Sequence, residues 1–251
     1  IRIYEMREKI SKLIGYPINV EKYKDKDAIV SFLTSEYLYS IRVNNGFLPG
    51  SKYSQAIILF NKITIDVGEK GNSYYSVRGV TTLESNVELY VNFSAQNLLN
   101  YEREIIVKLF LEQDLIPYDF FEKSILLCKN GYSLLSIALI FTAKAISAIG
   151  YEPKLDGCVI CGRKNNLVHF SMKNGGFKCL DCATKTFSKR QNNTYLNLML
   201  YAFKVTPEKF GSAQLDENIV KECLNDLINF IKDELGVELK TFNFLLESLR
   251  M

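Results

Sequence analysis

Histidine occurs once in this chain of 251 residues, at position 169, and the usual acid–base group of enzymes is correspondingly scarce. A Ser-His or Cys-His nucleophile needs an imidazole that titrates near neutral pH beside an orienting partner, and a lone histidine argues against such chemistry. The nucleic-acid deaminase pattern requires His-x-Glu ahead of a cysteine pair, and His169-Phe170-Ser171 has no glutamate in that place. There is no G-x-x-x-x-G-K-[ST] run, so ATP hydrolysis is not indicated. Carboxylates occur in several of the helical segments with no pair set apart. These absences together predict a protein that is not an enzyme.

Long apolar runs are also missing. The most apolar stretch, 134–149, is interrupted by Lys144 and falls short of the ~20 residues that cross a bilayer. The beginning of the chain has no basic-then-apolar leader with a small-residue cleavage site. A soluble cytoplasmic protein with no membrane partner is the expectation. The first residue is Ile1 and the first methionine is Met6, which is a candidate natural start. There is no internal repeat and no low-complexity tract. Disorder is excluded by 47% hydrophobic and 24% charged residues, enough to bury a core in one large domain or two smaller ones.

Net charge is only +3, so the field of the whole molecule says little about partners, but its distribution says more. Between Tyr151 and Arg190, eight Lys and Arg face three acids, an excess of five positive charges. From Gln191 to Met251, six bases face nine acids, an excess of three negative charges. A local basic excess attracts a polyanion, or is simply a solvated face.

The first third of the chain reads as β. Ala28 to Leu33, Tyr37 to Val43, Gln55 to Phe60, Ile63 to Val67 and Tyr74 to Val80 are short apolar or alternating runs. Asn44-Asn45-Gly46, Gly68 and Gly71 supply turns between them. About five strands at this spacing suit an OB-type barrel or another small barrel. Near Ser94 the period becomes helical, with Leu98, Leu99, Ile105, Ile106, Leu109 and Phe110 on one face. Further helices are expected from Pro117, from Ser133 to about Ile149, over 195–203 and 218–235, and over 242–249, with Gly236 as a cap. Strands followed by helices make an α+β chain. The expected division is a β-barrel domain over 1–85 and a helical domain over 86–251.

Two C-x2-C pairs, Cys158 with Cys161 and Cys179 with Cys182, are separated by seventeen residues. Each pair places two thiolates on one tight knuckle, and two knuckles close a tetrahedron around Zn2+ with bonds of about 2.3 Å. Gly162 allows a sharp turn after the first knuckle, and Gly175-Gly176 folds 168–171 and 177–178 into a short hairpin. The module occupies about 155–190. Four sulfurs fill the coordination shell, so one structural zinc per chain is expected, with no open position for an activated water. The alternatives are two disulfides, which suit secreted chains, or four free thiols. His169 lies in the loop and is a possible substitute ligand. Cys128 and Cys223 sit in apolar helical surroundings and read as small core residues.

The run Gly157-Cys158-x2-Cys161-Gly162, then Phe170-Ser171-x3-Gly175-Gly176-x2-Cys179-x2-Cys182, closely resembles the zinc module of the bacterial RecO family. Tyr23 to Thr34 looks like that family's opening strand, and Asn44 to Lys52 lies where the family has a basic loop. The resemblance extends over nearly the whole chain. It implies an N-terminal OB barrel, a helical C-terminal domain with an inserted four-cysteine zinc module, and binding to single- and double-stranded DNA. It also implies annealing of complementary strands and cooperation with RecR in loading RecA onto DNA coated by single-stranded-DNA-binding protein, whose C-terminal tail the family binds. Nucleoid association would follow.

The loop departs from the family pattern, because Phe47, Leu48, Pro49 and Gly50 leave Lys52 nearly alone. DNA binding is therefore expected from Lys22, Lys24, Lys26 and Arg42 as well as Lys52, and from Lys173, Lys178, Lys185, Lys189 and Arg190 of the zinc segment. Phe32, Tyr37, Tyr39 and Phe47 are candidates for stacking on bases, or belong to the core. A pocket for the acidic tail is expected on the helical domain, combining an apolar cleft with a Lys or Arg. Two other classes remain open at this stage: a zinc-ribbon adaptor in transcription or translation, and a metalloenzyme.

Overall fold

The structure, a computed structural model, describes residues 10–70, 74–110, 117–211 and 215–249. It divides into two compact units, Ile1–Val91 and Asn92–Met251. The turn expected at Gly71 lies outside the described residues.

The first unit is a closed barrel of five strands: β1 (Ile10–Tyr23), β2 (Asp27–Leu33), β3 (Leu38–Val43), β4 (Lys62–Lys70) and β5 (Tyr74–Glu84). Their order is β1-β2-β3-β5-β4, with β4 closing onto β1. All pairings are antiparallel except that of β3 with β5. This is the OB-type architecture. Period-two alternation sends Ala28, Val30 and Phe32 inward from β2 and Ile41 and Val43 from β3, where they meet Ile63, Ile65, Val67 and Val77.

The expected strands need correction at β1 and at Gln55 to Phe60, and Gly68, expected in a turn, lies inside β4, paired with Ile10 and Ser76. β1 has no clear signature in the sequence, because Gly15 and Pro17 break its alternation and a bulge falls between Pro17 and Asn19. Its first half pairs with β4 and its second with β2. At the changeover, a Cβ on Gly15 would lie 1.9 Å from the Leu33 carbonyl oxygen, so only glycine lets the strands approach there. The run Gln55 to Phe60 is not a strand. Ser54–Ile57 forms a 3-10 turn, with Ala56 in the barrel core and Ile57 packed against it. The apolar run covers an end of a barrel that its neighbours have already closed, so its backbone has no strand to pair with. A short helix, α1 (Glu88–Val91), ends the unit.

The second unit is helical: α2 (Phe93–Leu109), α3 (Tyr118–Lys129), α4 (Leu134–Ala148), α5 (Leu180–Lys185), α6 (Asn193–Lys204), α7 (Glu217–Leu235) and α8 (Thr241–Ser248). α4 is buried nearly all round and packs on α2, α3, α6 and α7. Its one lysine is accommodated by geometry. The Lys144 ammonium donates to the Phe203 carbonyl at 2.5 Å and lies 5.1 Å from the Phe120 ring centroid. Helix starts follow side-chain caps: Asn92 accepts from the Ala95 N–H at 3.0 Å, and Asp216 accepts from Asn218 and Ile219. Gly236 ends α7 in the left-handed conformation, as its position suggests. No helix among the described residues is long and apolar enough to cross a membrane.

Candidate metal centre and nucleic-acid interface

Between α4 and α6 the chain forms a hairpin of β6 (Leu167–Ser171) and β7 (Gly176–Cys179), flanked by the two cysteine knuckles. Gly162 (φ +77°) closes the first knuckle, and its N–H donates to the Cys158 carbonyl at 2.9 Å. Gly176 is required twice over: its φ is +134°, and a Cβ there would lie 2.3 Å from the Lys154 carbonyl oxygen. The hairpin docks on α6 through Phe170, whose ring lies 5.0 Å from that of Phe177 and 6.1 Å from that of Phe203. The Arg163 guanidinium donates to Asp181, joining the residue after one knuckle to the middle of the other.

The sulfurs of Cys158, Cys161, Cys179 and Cys182 lie within 4.8 Å of one another. Cys161 and Cys179 are 3.7 Å apart, far beyond a disulfide bond of about 2.05 Å, and all six cysteines are free. Tetrahedral bonds of about 2.3 Å would separate sulfurs by roughly 3.8 Å, so the spacing suits a metal ion. Cys158, Cys179 and Cys182 are buried and Cys161 faces solvent.

The electrostatics fit the same reading. Burial opposes ionisation of Cys158, but N–H groups of Cys161, Cys179 and Ile160 outweigh it and bring the thiol down to about 6. Cys182 is pushed up to about 12 by burial and by the thiols around it. The backbone donors thus favour the thiolate at Cys158, which is the form that ligates a metal ion. His169 is not among the converging ligands. Its Nδ1 meets the Lys189 carbonyl oxygen at 2.9 Å, and burial holds its pKa below the ordinary value.

The expected DNA-contacting residues fall into several places. Lys22, Lys24 and Lys26 are exposed on β1 and the turn leading into β2. Arg42 is partly covered: its guanidinium donates to Asp27 at 2.7 Å and lies 5.2 Å from the Tyr23 ring centroid. Asp27 also accepts from the Asn45 N–H at 2.8 Å, and that bond, with Arg42, holds its carboxyl below the ordinary range. The β1–β2 turn is thereby tied to the loop after β3. Tyr23 joins this group, although the sequence reading does not single it out as a stacking residue. It is 40% exposed, stands between Lys22 and Lys24, and has the Lys24 ammonium 5.5 Å from its ring. The Lys-Tyr-Lys alternation on a strand end is the signal that could have found it. Lys52 lies 4.8 Å from the Tyr53 ring, beside exposed Phe47 and Leu48.

Among the other aromatics, Phe32 is fully buried in the barrel and cannot stack on a base. Tyr37 and Tyr39 pack edge to face at 5.9 Å, and Tyr39 and Tyr75 at 5.6 Å. Tyr39 is half-buried against the core while Tyr37 is exposed.

In the zinc segment, Lys185, Lys189 and Arg190 are exposed, and Lys173 is exposed with its ammonium 3.1 Å from Glu234. Lys178 requires correction: it is 5% exposed, and its ammonium donates to Thr186 at 3.2 Å and Ser188 at 3.0 Å. A buried cation held by hydroxyls supports the fold and cannot reach a phosphate.

A cleft of about 540 Å³ on the helical unit is lined by Leu127, Tyr132, Ile137, Ile140, Tyr201 and Phe210, among others. Its lining mixes these side chains with Ser133 and Ser136, and the described lining carries no Lys or Arg, so it lacks the cation that a pocket for an acidic tail needs.

Comparison with known proteins places these features in context. The family model described as "Recombination protein O C terminal" matches residues 98–241, which include the cysteine cluster. A DNA repair protein RecO from Lactobacillus helveticus is 24% identical over 244 residues, covering 96% of this chain and 98% of that one. Its counterpart from Caldanaerobacter subterraneus is 27% identical over 233 residues, covering 89% and 92%. One from a Thermoanaerobacter species is 26% identical over 190 residues, covering 70% and 73%.

Proposed function

The chain belongs to the RecO family, and from that premise we propose that it is a DNA repair and recombination mediator. In this reading it binds single- and double-stranded DNA and anneals complementary strands. With RecR it helps load RecA onto DNA coated by single-stranded-DNA-binding protein, whose acidic tail it holds. The work is binding and screening, with no chemical step. Zn2+ in the four-cysteine cluster is structural: the sulfurs complete its coordination shell, and its binding energy stabilises the module.

One observation carries the reading. An OB-type barrel presents Lys22, Lys24 and Lys26 around the exposed Tyr23 at its β1–β2 turn. OB folds bind oligonucleotides through that loop and the face of their second and third strands. Ammonium groups neutralise phosphates and release counterions, and an aromatic ring beside them offers a base a surface to stack on. Two complementary strands held on such a surface repel each other less, which favours pairing without ATP.

The test is the affinity for a single-stranded oligonucleotide across a salt series. The logarithm of the binding constant should fall linearly with the logarithm of salt concentration. Replacing Lys22, Lys24 and Lys26 by alanine should flatten that slope by about 2, at roughly 0.7 for each phosphate that is no longer neutralised. An unchanged slope would remove the barrel from the interface.

A further inference from the structure

The short helix α5 ends in a Schellman motif. The Ser188 N–H donates to the Ala183 carbonyl at 2.8 Å, and the Phe187 N–H to the Thr184 carbonyl at 3.2 Å. The position between the cap residue and Ser188 is left-handed and normally filled by glycine. Here it is Phe187, at φ +53°. A Cβ in that conformation is unfavourable, and more so for a bulky side chain. The ring recovers nothing by packing, because Phe187 is 96% exposed, the most exposed of the large apolar residues described. Stability accounts for neither the backbone nor the ring.

The turn is nevertheless held firmly. The buried Lys178 ammonium donates from beneath to the hydroxyls of Thr186 and Ser188, the two residues flanking Phe187. The Thr186 N–H donates to the Cys182 carbonyl at 3.1 Å, tying the turn to a cysteine of the metal cluster. The ring is therefore presented on a rigid support. Within three residues of it in the sequence are the exposed cations Lys185, Lys189 and Arg190, and no Asp or Glu occurs between Cys182 and Pro207. The last carbonyls of α5 are consumed by the turn, so an approaching anion meets side-chain cations.

We propose that Phe187 is a base-stacking residue for unpaired nucleic acid, with Lys185, Lys189 and Arg190 gripping the phosphates on either side. A flat apolar ring amid positive charge matches a single strand, which offers exposed base faces along a polyanionic backbone. A paired duplex hides those faces. This site deepens the proposed DNA-handling role and rests on it. It adds a second contact, on the helical unit, to that of the barrel.

The test uses the full-length, zinc-loaded protein and two fluorescent probes of equal length, an oligothymidylate and an abasic oligonucleotide. Phe187→Gly should weaken binding to the oligothymidylate roughly five- to a hundredfold while leaving abasic binding unchanged. Phe187→Tyr should retain the parent's affinity for both. Phe187→Gly should also raise the unfolding midpoint, by about 2–4 °C, because glycine suits the left-handed position. Unaltered oligothymidylate binding by Phe187→Gly would overturn the inference and leave the DNA-handling role standing. So would weakened binding accompanied by a lowered unfolding midpoint, since that indicates a structural role. A parent protein that binds neither probe would remove both readings.

Discussion

Glu102 on α2 is fully buried, and neither carboxylate oxygen has a hydrogen-bond partner. The Ser124 hydroxyl beside it donates instead to the Phe120 carbonyl at 2.9 Å. Burial therefore pushes the Glu102 carboxyl well above its ordinary value of 4.5. Because the folded state holds this proton more tightly than the unfolded chain, its stabilising effect is complete below pH 4.5. It is lost as pH rises toward the folded value. Glu102→Gln should match the parent's unfolding midpoint near pH 4 and exceed it increasingly toward pH 8. A constant gap across that range would show that ionisation is not the cause. Glu102 is also an instance of a residue whose role cannot be read locally. A glutamate among apolar helical positions looks like any solvated one until the packing around it is known. Lys178 and Phe32 behave likewise: one is buried by hydroxyls eight and ten residues further on, the other by the far wall of a barrel. The four cysteines were legible because such a cluster is local, two knuckles at a fixed spacing, and the structure brings together the four that the spacing singles out.

At the scale of elements, a metal ion in the four-cysteine cluster would add its binding energy to the apolar burial of Phe170 and Phe177 in holding the module. Cys158, Cys179 and Cys182 form a small core of their own, with Leu167 packed against it. Quantitative metal analysis should find one zinc per chain and four thiols shielded from alkylation. A strong chelator should expose all four and loosen the β6–β7 hairpin, while the barrel keeps its strand signal. Cys179→Ser, at a buried ligand, should lower zinc content and have the same local effect. Zinc retained in full by that variant would place the metal elsewhere. Helices were readable where apolar spacing and caps agree, as in α4 and α7. β1 was not, since Gly15, Pro17 and a bulge interrupt its alternation where it passes from β4 to β2. Gln55 to Phe60 has a strand's composition but the job of a cover, and composition does not record which positions are left to pair.

For the whole molecule, function follows from where charge is placed, since a net charge of +3 is too small to direct a polyanion by itself. Lys22, Lys24 and Lys26 on the barrel, and Lys185, Lys189 and Arg190 beyond the metal cluster, form separate basic groups in the two compact units. Substituting both groups should reduce the salt slope by about the sum of the separate reductions, because independent sites add. The most direct measurement is annealing of two complementary oligonucleotides precoated with single-stranded-DNA-binding protein, followed by fluorescence transfer over a salt series. The expected result is rapid, ATP-independent pairing that slows as salt rises and weakens when Lys22, Lys24 and Lys26 are replaced. Folded, zinc-loaded protein that left the coated strands unpaired, or annealed them at a rate indifferent to salt, would contradict it.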